Sequence, residues 1–102
     1  MHLIQILLPV YDNGGKPFPS SMYADVRRQL VERFGGLTAY SRSPAEGLWQ
    51  DEAGPTTRDD IIVYEVMTEQ LDREWWAGFR TALARRFDQE DLVVRAHLIE
   101  RL

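Results

Sequence analysis

Short runs of branched apolar residues alternate along this chain with longer segments in which apolar residues recur every three or four positions. Residues 3–11 are rich in Leu, Ile and Val and too short for a stable helix, so they predict a strand that is apolar on both faces. The next segment predicts a helix because its apolar residues share one face, namely Met22, Val26, Leu30 and Phe34. We expect a hydroxyl of Ser20 or Ser21 to cap its start and Gly35 to end it.

The second half of the chain repeats the alternation of strand and helix. Residues 37–42 predict a strand, residues 43–58 a loop, and residues 60–67 the clearest strand of the chain. Asp72 is a good N-cap for a second helix, whose apolar face would hold Trp76, Phe79, Leu83 and Phe87. Residues 92–102 predict a last strand, with Arg95 and His97 on one face.

The resulting order, β-α-β-β-α-β, is the split βαβ pattern of a ferredoxin-like sandwich. It predicts a single α+β domain over residues 1–102, with an antiparallel sheet in the order 4-1-3-2. Both helices are expected on one face of that sheet. The other face would then carry a large apolar patch, formed by Leu3, Leu7, Ile61, Val63 and Met67. Because such a patch is rarely left in water, we expect a homodimer through the helix-free sheet face that buries about 1,200 Å² or more.

Composition narrows the classes of partner. Twelve basic and sixteen acidic residues give a net charge of -4, which argues against a nucleic-acid or anionic-membrane partner. The chain has no cysteine, which excludes disulfides, thiolate nucleophiles and Cys-ligated metals. The apolar start of the chain lacks a basic leader and a small-residue cleavage site, so a cytoplasmic location is the expectation.

Polar residues from all four predicted strands fall on the helix-free face, and they form the candidate site: Gln5, Tyr40, Arg42, Glu65, Arg95 and His97. Glu65 lies in the middle of a central strand, where an unpaired carboxylate would be costly to bury. We expect Arg95 or Arg42 to pair with it, and His97 to exchange a proton near neutral pH. Either a small-molecule site or an ion-pair network that aligns two subunits would use these residues. Tyr40 and Tyr64 are also compatible with core positions.

Three tryptophans invite a cofactor interpretation, but the sequence specifies no haem, flavin or nucleotide. Trp75 and Trp76 are neighbours on a helix, so one is expected in the core and the other beside it. Trp49 lies in a glycine-containing loop and is the better candidate for a pocket wall.

Metal and phosphate sites have little support. The two histidines, His2 and His97, are expected on opposite faces of the sheet, and no metal-binding motif is present. Four acidic residues cluster around the central loop, namely Asp51, Glu52, Asp59 and Asp60. They favour a solvated acidic hairpin over a cation-binding site. The Gly14-Gly15-Lys16 segment lacks the spacing of a phosphate-binding loop.

The order of elements and the apolar open face resemble the dimeric α/β-barrel group, which includes small monooxygenases of the antibiotic-biosynthesis type and muconolactone-isomerase-like proteins. Three short segments resemble features of uncharacterised small bacterial proteins: Phe34-Gly35-Gly36, Gly47-Leu48-Trp49 and Phe87-Asp88-Gln89-Glu90. Fold analogy by itself does not assign an activity.

Two functions therefore stand open. The first is a non-catalytic homodimeric module that binds a small molecule or another protein. The second is a cofactor-free enzyme of the monooxygenase or isomerase type, acting on a small aromatic or polyketide-like substrate in the barrel. In that enzyme Glu65 or His97 would be the catalytic base, and Arg95 and Arg42 would stabilise a developing anion. Gln5, Tyr40 and Trp49 would complete the ligand-binding set.

Overall fold

The computed structural model describes residues 1–42 and 60–102, with the last two residues of the second strand described by their backbone alone. Within these ranges the elements follow the predicted order, and they are β1 (His2–Pro9), α1 (Ser20–Phe34), β2 (Thr38–Arg42), β3 (Ile61–Thr68), α2 (Arg73–Arg86) and β4 (Val94–Leu98). The predicted α+β class is confirmed.

The four strands form one antiparallel sheet in the order β2-β3-β1-β4. This is the predicted order 4-1-3-2 counted from the other edge. β4 is shorter than the predicted strand over residues 92–102. Its Leu98 pairs with His2, the first residue of β1, and beyond this pair the Ile99 amide donates one more hydrogen bond, 3.1 Å long, to the Met1 carbonyl oxygen.

Strand periodicity divides the sheet into two faces. In β1 the residues Ile4, Ile6 and Leu8 are almost completely buried, while the residues between them are half-buried. The buried face of the sheet packs against both helices in one core cluster, with the helices contributing Tyr23, Val26, Leu30, Trp76, Phe79 and Leu83. Both helices therefore cover the same face, as predicted, and the alternate residues of each strand form the open face.

The helix ends agree with the sequence in two of three places. Asp72 caps α2 as predicted, since its side chain accepts a 3.1 Å hydrogen bond from the Trp75 amide. Gly35 ends α1 with φ 83°, a left-handed conformation that suits glycine. The predicted serine cap of α1 is wrong. Pro19 occupies the N-cap position, no side chain caps the helix, and Ser20 is already its first residue.

The two adjacent tryptophans have the separate roles that the sequence predicts. Trp76 is buried in the core, whereas Trp75 is half-buried beside it. Phe34 stacks on Trp76 with ring centroids 5.2 Å apart, and Phe79 stacks on Trp75 at 4.8 Å. Arg33 lies over the outer ring, 4.2 Å from the Trp75 centroid. Both residues therefore serve packing between the helices.

Tyr23 ties α1 to the end of β1. Its side chain is buried, and its hydroxyl donates a 2.5 Å hydrogen bond to the carbonyl oxygen of Pro9. Burial, with a smaller contribution from Tyr64, raises the pKa of Tyr23 to about 12.

This pKa makes stability depend on pH in the alkaline range. The contribution of Tyr23 is complete below pH ~10, the ordinary tyrosine value, because the phenol is then protonated in both states. Between this pH and about 12 the unfolded chain loses the proton that the folded chain keeps, so the free energy of unfolding falls. Chemical denaturation across this pH range should show that the free energy of unfolding falls more steeply with pH in the parent than in Tyr23→Phe. If the free energy of unfolding depends on pH in the same way in both proteins, the pKa of Tyr23 is not raised by folding.

Candidate functional site

A row of polar side chains crosses the open face of the sheet. The strand register places Thr38, Glu65, Gln5 and Arg95 directly opposite one another across β2, β3, β1 and β4. Tyr40 and His97 lie two residues further along their strands, on the same face. We call Tyr40, Glu65, Gln5, Arg95 and His97 the polar row.

Gln5 is the centre of the polar row. Its Nε2 donates to Glu65 Oε2 at 2.5 Å, and its Oε1 accepts from Arg95 Nε at 2.7 Å. His97 Nε2 is 3.2 Å from the same Gln5 oxygen. Since that oxygen carries no hydrogen, His97 hydrogen-bonds to it only in a form protonated on Nε2.

The orientation of the Gln5 amide follows from its neighbours. A carboxylate accepts hydrogen bonds and a guanidinium donates them, so the amide must turn its NH₂ to Glu65 and its oxygen to Arg95. The opposite orientation would place two donors together on one side and two acceptors together on the other. Gln5 thus links an anion and a cation that do not touch.

The expected pairing of Glu65 with Arg95 is therefore corrected. Arg95 and His97 contact Gln5, and Glu65 is held by Gln5 and Tyr40 instead. The reason is lateral distance. β1 lies between β3 and β4, and neighbouring strands are about 4.8 Å apart, so residues on β3 and β4 are separated by about twice that spacing.

Tyr40 is half exposed at 50%, so it occupies the open face and not the core position that the sequence also allowed. The negative charge of Glu65 raises the pKa of Tyr40, with smaller contributions from the hydrogen bond between the two side chains and from burial. Tyr64 is the core tyrosine of the pair, 1 % exposed, and its hydroxyl accepts a 2.8 Å hydrogen bond from Arg27 Nη1.

Several other predicted residues do not join the polar row. Trp49 lies outside the described residues, as do Asp51, Glu52 and Asp59. Arg42 is at a register position on the open face, opposite Ile61, and its side chain lies outside the described part. His2 and His97 are on opposite faces, and no group of three potential metal ligands occurs in residues 1–42 and 60–102.

The Gly14-Gly15-Lys16 segment is a closed turn. The Asp12 carboxylate accepts hydrogen bonds from the amides of Gly14 and Lys16, at 2.9 Å and 2.8 Å. Gly15 has φ 84°, which the turn requires. Two amides that a phosphate cradle would offer are thus already used by a side chain.

A groove of about 580 Å³, which the sequence analysis did not predict, lies at one end of the open face. Its apolar wall comes from the ends of β1 and β3 and the approach to β4, and includes Leu7, Pro9, Ile61, Leu92 and Val93. Asp12, Asp60 and Asp91 lie around it. Glu65 and His97 are not among its lining residues, so this groove is separate from the predicted site. Only the strand register could have indicated it.

No family model matches this chain, and no curated protein matches it. Among solved structures, the chain is similar to a phage SAM lyase in complex with S-methyl-5'-thioadenosine, with a TM-score of 0.55. The two chains are 14% identical over 94% of this chain and 79% of the lyase chain. At this identity the likeness concerns the fold alone. None of the described helices is sufficiently long and apolar for a membrane span.

The Tyr40–Glu65 pair gives a direct test of the polar row. Replacing Glu65 by Gln removes the negative charge, so the raised pKa of Tyr40 should fall toward the ordinary value of about 10. Tyrosinate absorbance, with the Tyr40→Phe spectrum subtracted in each background, isolates this one phenol. An unchanged titration after Glu65→Gln would show that the two side chains do not interact.

Proposed function

We propose that this chain is a homodimeric binding module of the dimeric α/β-barrel type, in which a second copy covers the open face. Apolar residues beside the polar row support this proposal, since Leu3, Leu7 and Ile61 are half-buried and Met67 is exposed. Val63 is on the same face but is only 6% exposed, so it adds little to the apolar surface. Met67 and Tyr40 are about half exposed, at 48% and 50%. Both belong to a continuous sheet surface that the helices do not cover, and antiparallel sheets with an apolar second face commonly pack against a partner.

The observation that carries the proposal is the matching of donors and acceptors within the polar row. Gln5 donates a hydrogen bond to the Glu65 carboxylate and accepts one from the Arg95 guanidinium, and Tyr40 is a second hydrogen-bond donor to the carboxylate. Covering a charge costs free energy unless it keeps such partners. Because these groups pair within one sheet, a second copy would bury them without having to supply every hydrogen bond. This favours an interface over a site that awaits a charged ligand.

Self-association is the first test. Met67→Glu places a charge in the proposed interface and should convert dimers to monomers in light scattering at micromolar concentration, with a loss of affinity of at least about 100-fold. Val31→Glu is the matched control, since Val31 is 45% exposed but lies on α1, away from the open face. A monomeric parent at these concentrations would overturn the proposal. Equal dissociation by both variants would place the interface elsewhere.

A cofactor-free enzyme is the second candidate, and the Tyr40–Glu65 pair is the observation that favours it. A half-exposed phenol hydrogen-bonded to a carboxylate is an arrangement that can pass a proton to or from a bound substrate. Glu65 would then be the base and Tyr40 the group that meets the substrate, with Arg95 and His97 holding Gln5 in place. Small aromatic or polyketide-like compounds are the substrate class that the dimeric α/β-barrel resemblance implies.

Ligand binding separates the two candidates. S-methyl-5'-thioadenosine, the compound bound to the similar phage enzyme, is an available probe. If the polar row serves only as an interface, we expect no saturable heat with this probe in calorimetry at millimolar concentration. Saturable binding that is lost in both Tyr40→Phe and Glu65→Gln, with dimers retained, would instead make the polar row a ligand site, as the enzyme requires. Binding that survives both changes would leave the polar row without a role in it.

A further inference from the structure

A cleft separates α2 from the edge strand β4 on the helix-covered side of the sheet. Leu98, on this face of β4, is 79% exposed, and Ala96 is also exposed, so α2 does not cover the strand. The cleft has a volume of about 250 Å³. Its apolar floor and walls come from both elements and from β1, and include Ile4, Leu71, Trp76, Val94 and Ala96.

Three arginines line this apolar cleft, namely Arg73 and Arg80 of α2 and Arg95 of β4. Arg73, Ala77 and Arg80 have the spacing i, i+4 and i+7, which places them along one side of α2, with the arginines about 10 Å apart at their backbones. Ala77 between them is small and exposed, and so leaves room for a ligand to approach both guanidinium groups.

Arg73 and Arg80 differ from others in the helices. Arg28 and Arg86 contact Asp25, and Arg33 contacts Asp72. Within residues 1–42 and 60–102, Arg73 and Arg80 have neither an ion-pair nor a hydrogen-bond partner. Their positive charge is thus not neutralised by the part of the fold that surrounds the cleft.

The floor of the cleft is formed before any ligand arrives. Trp76 is 6% exposed and stacks against Phe34, with planes 13° apart. Phe79 meets Trp76 edge-on, with centroids 5.7 Å apart. Ile4 is 1% exposed in the central strand. A ligand would therefore meet an ordered apolar surface and would not have to organise it.

We propose that this cleft binds a small amphipathic carboxylate, with its apolar part against Leu71, Val94 and Ala96 and its carboxylate between Arg73 and Arg80. Guanidinium groups bind carboxylates through paired, charge-assisted hydrogen bonds. The volume of 250 Å³ equals about eight water molecules at ~30 Å³ each, so the ligand is a short-chain or single-ring acid. The cleft lies on the helix-covered side of the sheet, and Arg95 of the polar row also lines it at the β4 edge.

Phenylbutyrate is a suitable probe, with phenylbutanol and phenylbutylamine as neutral and cationic analogues of similar shape. In calorimetry, phenylbutyrate should bind saturably and at least about tenfold more tightly than the alcohol, because only the carboxylate pairs with the arginines. The amine should not bind. Inorganic phosphate, which has the charge without the apolar part, should bind far more weakly than phenylbutyrate.

Variants locate the site. The double change Arg73→Gln and Arg80→Gln should weaken phenylbutyrate binding by at least about tenfold. Arg85→Gln, on the same helix but outside the cleft, should leave it unchanged. Ala77→Leu should fill the cleft and abolish binding, while its melting temperature stays close to that of the parent because Ala77 is exposed.

Three results would overturn the proposal. Equal affinities for phenylbutyrate and phenylbutanol would exclude a role for the arginines. Phosphate binding as tight as that of phenylbutyrate would show a simple anion site without an apolar part. Binding that persists in Ala77→Leu would place the ligand outside this cleft, and parental affinity in the double arginine variant would exclude a role for Arg73 and Arg80.

Discussion

The two-residue period of β1 is the constraint on which the rest of the molecule depends. β1 is hydrogen-bonded on both sides, to β3 and to β4, so each of its side chains is fixed on one face by the strands beside it. Ile4, Ile6 and Leu8 supply the centre of the core beneath both helices. Gln5, between them in sequence, supplies the centre of the polar row on the other face. A shift of register by one residue would exchange the two sets and destroy both.

The sequence predicted the parts of the fold that follow from local periodicity and local chemistry. Alternation in β1 and β3 placed Gln5 and Glu65 together on the face without helices, and the carboxylate of Asp72 capped α2. These features depend on neighbours in sequence. The partners of Glu65 depend instead on which strand lies between two others, and on how far each side chain reaches across it.

Other errors have the same origin. The spacing of a serine before an amphipathic run resembles a cap, but Pro19 took that position, and the helix began with the serine inside it. β4 spans Val94–Leu98 and is shorter than the strand predicted over residues 92–102, because the apolar composition of that segment does not show how many residues pair with β1. The cleft beside Arg73 and Arg80 arises because α2 leaves much of β4 uncovered. The position of a helix on a sheet depends on its contacts with other elements, so the sequence of α2 alone does not predict it.

The Gln5 amide separates opposite charges without neutralising them, so the polar row has an electrical direction. Its negative end is at Glu65 toward β2, and its positive end is at Arg95 on the β4 edge. Two such dipoles attract when they lie antiparallel and repel when they lie parallel. Two sheets stacked face to face would therefore be favoured when one is turned so that its arginine edge meets the other's carboxylate. A two-fold axis that runs along the strands, between two stacked sheets, brings the open faces together and reverses one polar row relative to the other. A two-fold axis perpendicular to the sheets also reverses the row, but it places the two sheets side by side and not face to face.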